Sequence, residues 1–154
     1  MSVRIERLAP ADAADCEAVL RSLPEWFGLE EGIAGYRRDV EAMETHGIRD
    51  LGGALAGFLT LRSHFAQSAE IRVMAVRREH RRRGVGRALV EHAEGLLRER
   101  GVEYLQVKTL SPTRPDARYE ETRAFYRSMG FRELEEFPTL WDPANPCLLF
   151  VKRL

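Results

Sequence analysis

The chain has 154 residues, and its 24 Lys and Arg balance 24 Asp and Glu to a formal net charge of zero. A protein that tracks a nucleic acid needs a basic residue for each phosphate it neutralises, so this balance argues against that class. With 44% hydrophobic and 31% charged residues the composition is that of a globular domain rather than a disordered chain.

The length predicts one domain, large enough to bury about 68–70% of the surface its unfolded form exposes. Cys16 and Cys147 stand far apart without partners at metal-ligand spacing. They read as free thiols in a reducing compartment, and no metal is expected. The longest apolar run, residues 51–61, is far too short to span a membrane. Residues 2–10 contain no apolar run followed by a small-residue cleavage site, so the expected location is cytoplasmic.

Residues 3–8 alternate apolar and charged side chains, which predicts a first strand ended by Pro10. A helix over residues 11–23 follows, with Asp12 as N-cap and Cys16, Val19, Leu20 and Leu23 on one face. Residues 24–32 are an aromatic-rich loop. A second helix over residues 33–44 carries Ile33, Tyr36, Val40 and Met43 in one stripe. Residues 48–65 predict a hairpin turning at Gly52 and Gly53, and residues 69–76 a further strand. The clearest helix covers residues 85–100, its apolar face being Val85, Leu89, Ala93, Leu96 and Leu97, with Gly101 as the stop. A strand at 102–110, a proline-punctuated loop at 111–116, a short helix over 118–130 and strands at 131–137 and 147–154 complete the chain. His46 and His92 read as surface positions. The order gives one mixed α/β domain (α+β in class), with a central sheet of about six to seven strands flanked by about four helices.

Against the neutral total, six arginines fall within the eleven positions 77–87. Charge confined to one short segment suits a small, multiply charged anion such as a diphosphate-bearing cofactor. The segment lies between a strand and a helix start, where unpaired backbone N–H groups and the positive end of the helix dipole point above the turn. Gly84 and Gly86 let backbone close on phosphate oxygens, and Arg81, Arg82, Arg83 and Arg87 add charged donors. The bland alternative is a solvated basic turn. The pattern matches neither the dinucleotide fingerprint nor a Walker A loop.

RRRGVG, residues 81–86, resembles the R/Q-x-x-G-x-G/A signature of the GNAT N-acetyltransferases, and AFYRSMGF, residues 124–131, resembles their C-terminal A-x-Y-x-x-x-G-F segment. The resemblance follows the element order of the whole chain and is specific over residues 69–131. It implies a single-domain GNAT fold over residues 1–154, acetyl-coenzyme A as cosubstrate, and acyl transfer to a primary amine. It further implies that the N–H groups of Val85, Gly86 and Arg87, with the side chains of Arg81 and Arg83, hold the pyrophosphate. Main-chain groups of Met74 and Val76 would pair with the pantetheine arm. Glu70 stands where relatives carry a general base and Tyr126 where they carry a general acid. The alternatives are a Glu70–Arg72 ion pair and a core aromatic at Tyr126. The Asn that many relatives carry before the tyrosine is missing from RYEETRAFY, and Ser111 or Thr113 offers polar groups nearby.

The acceptor side is marked only by Trp26, Phe27, Phe137 and Trp141 as apolar walls, by acids at 25, 30, 31, 135, 136 and 142, and by His64 as a base or acceptor contact. These features lean toward a small cationic amine or a protein or peptide amine, against caps on the core and ordinary surface acids. Neither nucleic acid nor membrane is expected as a partner, and a homodimer stays open. The rival reading is a non-catalytic acyl-coenzyme A sensor, which keeps the loop and dispenses with Glu70 and Tyr126.

Overall fold

The computed structural model describes residues 4–154, so the predicted strand start at Val3 lies outside the described residues. The elements are β1 (Ile5–Leu8), α1 (Ala13–Arg21), α2 (Glu30–Ala42), β2 (Glu44–Arg49), β3 (Leu55–Phe65), β4 (Ser68–Val76), α3 (Val85–Glu99), β5 (Tyr104–Leu110), α4 (Ala117–Ser128), β6 (Arg132–Asp142) and β7 (Asn145–Arg153). The seven strands form a mixed sheet ordered β1-β2-β3-β4-β5-β7-β6. β4 and β5 are parallel, while β1 with β2, β2 with β3, β5 with β7 and β6 with β7 are antiparallel. Among the described residues no helix is long and apolar enough to cross a membrane.

The described residues divide into two compact units, residues 4–62 with Arg72–Leu96 and Ser63–Ile71 with Leu97–Leu154. In the first, Cys16, Val19 and Leu20 of α1 and Ile33 and Val40 of α2 pack with Leu55, Phe58, Val73 and Ala75 of β3 and β4. Each fully buried Leu, Val or Phe of this set removes about 1.5–3 kcal/mol worth of apolar surface from water. In the second, Leu105 and Val107 of β5, Met129 and Phe131 after α4, and Phe150 of β7 are buried.

Four expectations are corrected in whole or in part. Asp12 stands at the N-cap position of α1 as expected, but its side chain makes no capping hydrogen bond there: its Oδ2 accepts from the Ala9 N–H at 2.7 Å and closes the 3-10 turn Pro10–Asp12 instead. The second helix ends at Ala42 because Met43 is extended (φ −117°, ψ 161°), and β2 begins at Glu44. His46 is buried rather than at the surface, its ring edge-on to His92 at 4.9 Å and its Nε2 2.8 Å from Glu44. On α3, Val90 is fully buried where Leu96 is half-buried, so the apolar face is rotated toward Val90.

Candidate active site

In the first unit, β4 ends at Val76 and the chain makes a 3-10 turn, Arg78–His80, before α3. Arg82 (φ 60°) and Gly84 (φ 80°) both take left-handed backbone, a conformation with a steric cost for Arg82 and little for Gly84. The intrahelical ladder of α3 begins with Ala88 N–H to Gly84 O at 2.9 Å. The N–H groups of Val85, Gly86 and Arg87 precede it and are the donors a helix start leaves for an anion. Gly57 of β3 makes this geometry possible: a Cβ there would lie 3.0 Å from Ala75 O and 3.2 Å from both Val76 Cγ2 and Val85 Cγ1. Sequence reasoning overlooked Gly57, whose signal is a lone glycine inside an apolar strand.

The arginines have unequal fates. Arg77 donates from Nε to Leu55 O and from its backbone N–H to Ala56 O, each at 2.8 Å. Arg78 Nη2 contacts both oxygens of Glu25 at 2.6 Å. The Arg81 guanidinium lies over the Trp26 ring at 4.1 Å. Arg82 and Arg83 are exposed, and Arg87 is exposed 3.6 Å from Glu91. So Arg82, Arg83 and Arg87 present charge to solvent around the helix start, while Arg77 and Arg78 fasten the loop. Met74 and Val76 are half-buried on β4. The β4–β5 ladder covers only Ser68–Ile71, so the main chain of both residues lies beyond it.

In the second unit, Glu70 and Gln106 are register partners on the parallel strands β4 and β5, and Lys108 follows two residues on, on the same face. His64 Nε2 lies 2.7 Å from Glu70 Oε1, Gln106 Nε2 donates to that oxygen at 3.1 Å, and Lys108 Nζ stands 3.3 and 3.4 Å from the two carboxylate oxygens. The alternative partner Arg72 is bound elsewhere, to Asp39 at 3.0 Å. Burial pushes the Glu70 carboxyl up, but the hydrogen bonds from His64 and Gln106 and the Lys108 charge outweigh it and hold the group below the ordinary carboxylate range. Glu70 is therefore a buried carboxylate, its side chain 4% exposed, beside an imidazole that is 28% exposed. Sequence reasoning treated Glu70 and His64 separately and missed Gln106 and Lys108, whose signal was alternation along β5.

Tyr126 sits on α4, 5% exposed, with Phe125, Phe131 and Phe150 rings 5.3, 5.5 and 6.0 Å away. Asp116 caps α4 by accepting from the Arg118 and Tyr119 N–H groups, and buried Arg123 donates to Leu110 O at 2.7 Å. At the other end Phe131 N–H returns to Tyr126 O at 3.0 Å. Burial raises the phenol, so it keeps its proton at neutral pH.

Trp26 and Phe27 pack against the first unit's core, Phe27 edge-on to Tyr36 at 5.7 Å, while Trp141 is 46% exposed and Phe137 half-buried. Among the acids, Glu25 is held by Arg78 and Glu30 by Arg21. Glu136 accepts from Ser111 Oγ at 2.6 Å and Thr113 Oγ1 at 2.5 Å, and Asp142 binds Asn145 in the β6–β7 turn. Negative charge for a cation is thus neutralised at Glu25 and Glu30. Burial pushes the Cys147 thiol up to about 11, which makes it a poor nucleophile.

A family model described as an acetyltransferase (GNAT) domain matches residues 43–133. An uncharacterized N-acetyltransferase of Chlorobaculum tepidum is 33% identical over 144 residues, 89% of this chain and 84% of that protein. A crystal structure of a GNAT-family acetyltransferase from Desulfovibrio desulfuricans superposes with a TM-score of 0.86 at 18% identity, covering 99% of both chains. An aminoglycoside 6'-N-acetyltransferase solved with coenzyme A superposes with a TM-score of 0.75 at 16% identity, over 97% of this chain and 96% of that one.

Proposed function

This chain belongs to the GNAT acetyltransferase family, and from that premise we propose that it is an N-acetyltransferase moving an acetyl group from acetyl-coenzyme A directly to a primary amine. The observation that carries the reading is the left-handed turn at Arg82 and Gly84, which leaves the Val85, Gly86 and Arg87 N–H groups ahead of the α3 ladder. Those donors, with Arg82, Arg83 and Arg87 around them, suit a pyrophosphate. Arg81 contributes by holding the loop to Trp26, and the main chain of Met74 and Val76 takes the pantetheine amides.

Transfer requires that the amine lose a proton and that the departing thiolate gain one. Glu70 serves the first need, directly or through a group it holds. Tyr126 serves the second, its phenol kept protonated by burial. The acceptor is a small or peptide amine, and two buried free thiols suit a cytoplasmic setting. The test is coenzyme A release from acetyl-coenzyme A with spermidine, putrescine, tyramine, kanamycin, single amino acids and N-terminally free tetrapeptides. Turnover with one class supports the reading. Tight acetyl-coenzyme A binding with no turnover across the panel would instead support the sensor.

A further inference from the structure

We propose that His64, rather than Glu70, takes the proton from the acceptor amine, and that Glu70 is the positioning residue that holds the imidazole for this task. The inference rests on the acetyltransferase reading above.

The hydrogen-bond chemistry of the cluster assigns the roles. An ionised carboxylate can only accept, so the 2.7 Å contact between His64 Nε2 and Glu70 Oε1 places the ring hydrogen on Nε2. In the neutral ring the basic lone pair is then on Nδ1, the atom that can receive a proton. Gln106 Nε2 lies 3.5 Å from His64 Nε2, but both atoms are donors, and the Gln106 hydrogen goes to Glu70 at 3.1 Å. The carboxylate already receives His64, Gln106 and Lys108, and only 4% of the side chain is exposed. The imidazole is seven times more exposed, at 28%, and stands where β3 leaves the core: Leu55 to Leu61 are buried and the strand's last four residues are exposed.

The charges around the ring support the assignment. From β4 Glu70 faces it with a negative charge, and from β5 come neutral Gln106 and cationic Lys108. Near them on β7, burial keeps the Cys147 thiol uncharged. When the ring becomes imidazolium, it and Lys108 share the single negative charge of the carboxylate that both contact. A buried carboxylate behind an imidazole fixes tautomer and orientation without accepting the proton itself.

The neutral amine nitrogen bonds to the thioester carbonyl carbon, and its N–H bond breaks as His64 Nδ1 takes the proton. The C–S bond then breaks, and the sulfur's electron pair takes a proton from Tyr126. Amide and free thiol leave, His64 returns its proton to water, and water reprotonates Tyr126.

The test uses the full chain, acetyl-coenzyme A and the amine turned over fastest in the panel above. His64→Gln should lower kcat about 100-fold, the scale of a lost general base, with acetyl-coenzyme A affinity by calorimetry unchanged. The acidic limb of the kcat/KM profile should vanish with it, and added imidazole should restore part of the turnover of His64→Ala. Nitrogen NMR of the ring should show hydrogen on Nε2 in the wild type and a mixed tautomer in Glu70→Ala. Wild-type kcat and an intact acidic limb in His64→Gln, with both lost in Glu70→Gln, would overturn the assignment and leave the transferase reading standing. A wild-type chain that releases no coenzyme A with any amine sinks the transferase reading and this one with it.

Discussion

The arginine loop and the Glu70 cluster are both charged, yet they are built in opposite ways. The loop gathers its charges in sequence, six arginines in eleven positions, and the fold then draws Arg77, Arg78 and Arg81 into contacts with Leu55, Glu25 and Trp26. What remains for an anion is the main chain at the start of α3 with Arg82, Arg83 and Arg87 exposed around it. The cluster gathers its charges only in space, from residues 64, 70, 106 and 108 on three strands. A site made of backbone needs glycines and a local turn. A site made of side chains needs a register that no short stretch contains.

If the difference is functional, damage to the two regions should separate binding from chemistry. The largest expected effect is at Tyr126, in the same unit as the cluster. Tyr126→Phe keeps the ring among Phe125, Phe131 and Phe150 and removes only the donor, so kcat should fall about 10- to 1,000-fold while acetyl-coenzyme A affinity stays within a few-fold. Normal turnover with chemistry rate-limiting would leave water as the proton donor. Next comes Gly86→Leu, which places a side chain on the donors at the helix start. Calorimetry should show acetyl-coenzyme A binding weakened about tenfold or more, roughly 1.4 kcal/mol, with the circular dichroism spectrum retained. Equal affinity would erase the contrast between backbone and side-chain sites.

A smaller effect concerns acid stability. Because Glu70 is held below its ordinary value in the folded state, it stabilises the fold above that ordinary value and loses the contribution as pH falls through the folded one. Lys108→Met removes the cation and lets burial push the carboxyl up, so the contribution shrinks and acid unfolding should begin at higher pH. An unchanged acid midpoint would mean that Lys108 is too screened to matter. The smallest effect separates the arginines themselves. Arg78→Ala should cost at most about 1 kcal/mol of stability, as expected for an exposed ion pair, and leave cofactor affinity nearly intact. Arg83→Ala should do the reverse, weakening binding a few-fold at unchanged melting temperature. Matching behaviour of the two variants would show that the run is not divided.

These contrasts also mark what the sequence could and could not say. The helix α3 was legible because its apolar residues recur at helical spacing and Gly101 stops it, and the loop was legible because its determinants are neighbours. The order of strands and helices was legible for the same local reasons. The end of β2 was legible as the first arm of the hairpin, but its start was hidden since Glu44, Thr45 and His46 are polar; Thr45 and His46 are buried by pairing, Thr45 Oγ1 to Thr60 Oγ1 at 2.9 Å and His46 to Glu44 at 2.8 Å. β6 was expected to stop at residue 137, but it continues through Pro138 to Asp142 as the edge of the sheet, where a missing N–H costs little. Lys108 was invisible as a Glu70 partner, because 38 residues and a parallel register separate them.

Gly57 carries a consequence for descent and for engineering alike. Its missing side chain sets the clearance at which Ala75, Val76 and Val85 meet, and the margin is a few tenths of an ångström. A Cβ at position 57 therefore fits only if Ala75, Val76 and Val85 give way by a few tenths of an ångström. The exposed arginines at 82 and 83 can drift with whatever anion the loop meets, whereas a methyl group at 57 would press on Val85, the first residue of α3, and so on the turn that aims its three N–H groups.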